Sequence, residues 1–142
     1  MLVLMHIWGA YAFVFLFLFS SVLSAYSLAK KREALARLSA WSYLASFAVL
    51  LVPYFGAFVL KAAIVSQGPA AALPHLEKHH NMSKFVLTGI ILMAVGSGIV
   101  LRRYRDKALP AWFLPNMLFL AVMVMTFIVR SLVNAAKLGA YL

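Results

Sequence analysis

Four long stretches of this chain carry no charged residue: 7–29, 38–60, 85–101 and 108–129. The first two run 23 residues each. At about 1.5 Å per residue in a helix, each reaches roughly 34 Å, enough for a hydrocarbon core of about 30 Å. The third is the shortest, and its helix is expected to begin earlier, in the His-rich segment before it. Four transmembrane helices follow, with spans at about 5–29, 38–64, 78–101 and 110–136. The connections are short except for the one between spans 2 and 3. The expected fold is therefore an all-α membrane protein of one domain, residues 1–142. Its four transmembrane helices form an antiparallel up-down-up-down bundle.

Composition narrows the alternatives. Apolar residues make up 65% of the chain, which excludes intrinsic disorder and leaves too little polar surface for a soluble domain of this length. There is no cysteine, so disulfides, thiolate zinc sites and iron–sulfur clusters are excluded. The net charge of +10 does not imply nucleic acid, because the bases mark loops. Lys30, Lys31, Arg32 and Arg37 follow span 1, and Arg102, Arg103, Arg105 and Lys107 follow span 3. The opposite side holds Lys61, Lys78, Lys84, Arg130 and Lys137. The two short basic loops are expected in the cytoplasm, which puts both termini and the segment 62–81 outside. No basic run precedes span 1, which argues against a cleaved signal peptide.

All four histidines, His6, His75, His79 and His80, then fall on the outer side. Spans 1 and 3 are diagonal in such a bundle, with axes roughly 11–14 Å apart if adjacent helices are 8–10 Å apart. Two imidazoles pointing inward across that gap suit one metal, and a haem iron with an axial His from each helix fits. His6 and His79 are the expected ligands, with His80 the alternative to His79. Their directions differ by about 100° on a helix, so only one faces the centre. Gly9, Ala12, Gly56, Ala57 and Gly89 are expected to make room for a macrocycle. The competing readings are solvated interfacial histidines, or a surface zinc or copper site at the i, i+4 pair His75 and His79.

Arg130 ends the fourth uncharged stretch and shares a helical face with Thr126, Asn134 and Lys137. A charge at that depth is costly unless it snorkels or is partnered. This stripe is expected to look into the bundle or a partner, where Arg130, Asn134 and Lys137 would bind haem propionates, a lipid phosphate or a quinone head group. No acid lies within a span, since Glu33, Glu77 and Asp106 are all in or near loops, which disfavours a proton-coupled transporter. No Ser/His/Asp set or HExxH motif is present. Ser20, Ser24 and Ser27 share a face and read as helix-packing contacts.

The chain resembles a group of small bacterial four-span membrane proteins. Met5-His6-Ile7 matches the histidine that opens their first helix, and Phe55-Gly56-Ala57 the late glycine of their second. Leu76-Glu77-Lys78-His79 matches the segment before their third helix, and Lys137-Leu138-Gly139-Ala140-Tyr141 their outer tail; Arg32-Glu33-Ala34-Leu35 is also similar. The resemblance implies a bacterial or archaeal plasma-membrane domain that binds b-type haem through helix-1 and helix-3 histidines. Ile7 and Tyr11 stand where the family often has proline and a second histidine. Ala135-Ala136-Lys137 stands where it often has Gly-His. One haem, with no ligand from span 4, is therefore the expectation.

The expected function is a small b-type cytochrome, or cytochrome-like membrane subunit, passing electrons between the quinol pool and a partner. It is an accessory role more than a stand-alone enzyme's, with the bilayer, partner membrane subunits or a redox protein as partners. The alternatives are a cofactor-free structural subunit of a respiratory or photosynthetic complex, and a small enzyme acting on a porphyrin or quinone.

Overall fold

A computed structural model describes residues 1–141. It is all-helical, with α1 Leu2–Lys30, α2 Glu33–Gln67, α3 Leu73–Arg103 and α4 Phe113–Gly139, and a single 3₁₀ turn at Ala70–Ala72 before α3. All four helices are long and apolar enough to cross a membrane. The helices outrun the uncharged stretches because Lys and Arg at span ends are compatible with helix and extend their heads towards water. Segment 62–81, expected as an outer loop, is instead mostly helical. Gly68-Pro69 alone breaks it, and Pro74 sits in the first turn of α3, where the missing N–H costs nothing. Ala72 and Leu76 bury against Leu138 and Ile64, which ties this segment to the end of α4.

Consecutive helices are neighbours, and α4 returns to touch α1, so the four form a ring with α1 and α3 on one diagonal. The α1–α2 contact is the most extensive and the α4–α1 contact the least. The reason for the first is a seam of small polar residues. Ser20, Ser24 and Ser27 on α1, and Ser39 and Ser46 on α2, are fully buried. Most of these hydroxyls donate to a carbonyl of their own helix, such as Ser20 to Leu16 O at 2.8 Å and Ser46 to Ser42 O at 2.8 Å. Buried this way they are satisfied, and their small size lets the backbones approach. Ser24 reaches across to the buried Tyr43 hydroxyl at 3.1 Å. Such interhelical bonds average about 0.6 kcal/mol in a membrane, so close packing, more than hydrogen bonding, holds the pair.

The side facing away from the core is mostly apolar. Phe15 is 74% exposed, Val122 69%, Phe119 65% and Phe55 63%. Water would penalise that surface heavily, whereas lipid solvates it. At one end, Arg37 pairs with Glu33 and donates to Tyr104 O at 2.9 Å and Lys107 O at 2.6 Å. This joins the two basic connections to each other.

Candidate functional site: a facing histidine pair

At the end of the bundle away from the basic connections, α1 and α3 each present a histidine to the diagonal. The His6 and His79 ring centres are 6.2 Å apart, with planes at 81°. Each ring is fixed through Nδ1 by a neighbouring helix. His6 Nδ1 lies 2.8 Å from Pro53 O on α2. His79 Nδ1 lies 3.0 Å from Ser131 O on α4. A carbonyl can only accept, so the Pro53 O contact puts the proton on His6 Nδ1 and leaves Nε2 its lone pair; His79 Nδ1 lies 3.0 Å from both Ser131 O and Ser131 Oγ, and the carbonyl contact favours the same tautomer there.

The surrounding protons agree with that tautomer. Ser83 donates to His79 O at 2.9 Å, and the Ser83 and Ser131 hydroxyl oxygens are 3.2 Å apart. With Ser83 donating to His79 O, the Ser131 hydroxyl can donate to Ser83 and share, with Ser131 O, the proton of His79 Nδ1. Neither His6 nor His79 has a hydrogen bond at Nε2 among the described residues. An imidazole held at Nδ1 by a backbone carbonyl, with Nε2 free, is the arrangement that orients metal-ligating histidines.

The sequence accounts for these contacts. Pro53 withdraws the N–H that would otherwise bond to Val49 O, which loosens α2 at this level. Gly9, one turn after His6, lets α1 close on that proline: a Cβ at Gly9 would sit 3.0 Å from Pro53 Cδ. Both features serve to bring His6 to Pro53 O.

A small open cleft with an enclosed volume of about 80 Å³ lies around the pair. It is lined from all four helices, including Ala10 and Phe13, Pro53 and Ala57, Val86 and Ile128. The apolar lining is ordinary for a small-molecule site, but the enclosed volume is well below the roughly 300–1,000 Å³ of a formed ligand pocket, so a bound macrocycle would have to widen the gap between the helices. No cluster of three or more His, Cys, Asp or Glu side chains suited to a metal exists among the described residues. A bare zinc or copper ion would therefore lack ligands. A tetrapyrrole metal carries four equatorial nitrogens of its own and asks the protein for only two. Two imidazole–metal bonds of about 2.0–2.1 Å, plus the offset from nitrogen to ring centre at each end, span roughly 6 Å. The 6.2 Å between the ring centres fits.

His80 also lines the cavity and is only 7% exposed, its ring edge-on to Phe58 at 5.5 Å. It therefore does not compete with His79 for the diagonal, as the angular argument requires. His75 stacks on Tyr141 at 5.5 Å, away from the pair. The polar stripe of α4 does not look into the bundle, the first of its two expected directions. Thr126, Arg130 and Lys137 are exposed, Asn134 donates to Arg130 O within its own helix, and none lines the cavity. The stripe turns outward because the apolar side of α4, with Val124, Ile128 and the small Ser131, takes the core. Two of the expected small residues also serve another purpose. Gly89 is where α3 meets Val124, and Ala12 is exposed; Ala57 does line the cavity. Sequence reasoning missed Ser131, whose backbone carbonyl on α4 meets His79, and Ser83, whose hydroxyl donates to His79 O within α3 and meets the Ser131 hydroxyl; a carbonyl contact between helices leaves no side-chain pattern.

No family model matches the chain, and neither curated proteins nor solved structures give a match. The functional reading therefore rests on the chemistry of the site.

Proposed function

We propose that this chain is a small b-type cytochrome, or a cytochrome-like membrane subunit, which binds one haem between His6 and His79. One observation carries the reading: two diagonal histidines face each other at 6.2 Å, each fixed at Nδ1 by a backbone carbonyl and free at Nε2. The haem would supply one-electron redox chemistry, and the protein would hold and orient it. Phe13, Leu50, Val86 and Ile128 would keep water from its inner face.

The bundle would run up-down-up-down in a bacterial or archaeal plasma membrane. The basic connections would lie in the cytoplasm, and both chain ends and the histidines outside. A haem near one face cannot by itself carry electrons through the bilayer. The role is therefore exchange between the membrane quinol pool and a redox protein or partner subunit on the outer side.

The test is a reduced-minus-oxidised absorbance spectrum of the protein purified after expression with ample haem supply. A Soret band that shifts on dithionite reduction is the expected result. A fully folded, haem-exposed sample without that band rejects the proposal.

A further inference from the structure

At the end of the bundle away from the histidines, a second cleft of about 300 Å³ opens between the α1–α2 turn and the connection into α4. That size is at the lower end of the roughly 300–1,000 Å³ of small-molecule sites. Its polar lining is Lys31, Arg32 and Glu33, and its apolar lining includes Leu28, Leu109 and Leu114. The Glu33 carboxylate is already held by Arg37 at 2.6 Å, in the one ion pair among the described residues. Lys31 and Arg32 therefore bring two positive charges to the cleft that no acidic side chain there neutralises. Lys31 is also the one non-glycine residue with positive φ among the described residues, at 52°. It closes α1 in the left-handed conformation, where glycine is the usual and easier choice. A long cation thus stands where a side chain is a conformational burden, beside a cleft that it lines.

We infer that this cleft binds the phosphate of an anionic phospholipid. Arg32 offers a planar fork of donors to the phosphate oxygens, and Lys31 a compact charge. The cleft lies where basic connections leave four membrane-spanning helices, the level at which lipid head groups sit. A free phosphate ester has the same acceptor oxygens, but the apolar lining favours the lipid. Leu28 is 43% exposed, and with Leu109 and Leu114 it gives an acyl chain a wall to lie against. The inference is independent of the haem reading, which concerns the other end of the bundle.

The experiment titrates delipidated full-length protein in detergent with phosphatidylglycerol and, separately, with diacylglycerol of the same chains, which lacks the phosphate. Native mass spectrometry reads the fraction carrying one lipid. The wild-type protein should bind phosphatidylglycerol roughly ten- to thirtyfold tighter, the worth of two bases at a membrane surface. Lys31→Gly with Arg32→Gln should remove most of that preference. Glycine suits the left-handed position, so this variant should unfold thermally no earlier than the wild type. Arg102→Gln with Arg103→Gln removes the same charge from the end of α3, outside the cleft, and should keep the preference. Excess glycerol phosphate should not displace the lipid. Equal wild-type affinity for the two lipids overturns the inference, as does a preference lost equally in both variants, which would mark general surface charge. Displacement by glycerol phosphate at the concentration of the lipid overturns the assignment to a lipid.

Discussion

His6 and His79 differ from the other two histidines in what holds them, not in their own chemistry. Each has its Nδ1 against a backbone carbonyl, Pro53 O or Ser131 O, and the two ring centres are 6.2 Å apart. His75 stacks on Tyr141 and takes no part. Replacing either member of the pair by Ala should therefore abolish the Soret band, while His75→Ala should leave haem content unchanged. The measurement is haem per protein by pyridine haemochrome assay, with circular dichroism to check that helix is retained. The pair was legible in the sequence because one argument, basic loops on one side and histidines on the other, puts His6 and His79 at one level. Their partners were not legible, since a carbonyl on another helix leaves no trace in side-chain pattern. The face holding Arg130, Asn134 and Lys137 shows the opposite limit. Helical spacing gives which residues share a face, but not which way it turns, and in lipid an exposed apolar face is no worse than a buried one.

At the level of elements, small residues decide where helices meet. A Cβ at Gly89 would collide with the Val124 side chain, and the β-branched Val124 cannot swing aside freely. Gly89→Ala should therefore destabilise the protein by about 1–3 kcal/mol through overpacking, and adding Val124→Ala should recover much of the loss. Thermal or SDS unfolding in detergent reads both. The sequence marks Gly89 as small but not as a crossing point. Expected as room for a macrocycle, it instead sets the α3–α4 spacing. Helix existence was plain from four uncharged stretches. Helix ends were not, because charged residues such as Glu33, Arg37 and Glu77 lie inside helices, and because Ala72 and Leu76 fold segment 62–81 against Leu138.

On the scale of the whole molecule, four apolar helices fit a multi-pass membrane protein, with lipid around the exposed Phe15, Phe55 and Phe119. The absence of native cysteine makes sidedness directly measurable. In intact spheroplasts Gln67→Cys should react with an impermeant maleimide, while Lys107→Cys should react only after permeabilisation; the reverse pattern would invert the orientation. The central claim, that His6 and His79 together hold one haem, is most directly tested by electron paramagnetic resonance of the oxidised protein. Two imidazoles with planes near 81° should give a low-spin ferric signal of high anisotropy. That signal should be lost in His6→Ala and in His79→Ala alike. A high-spin signal in the wild type, or a low-spin signal that survives either substitution, would contradict the account.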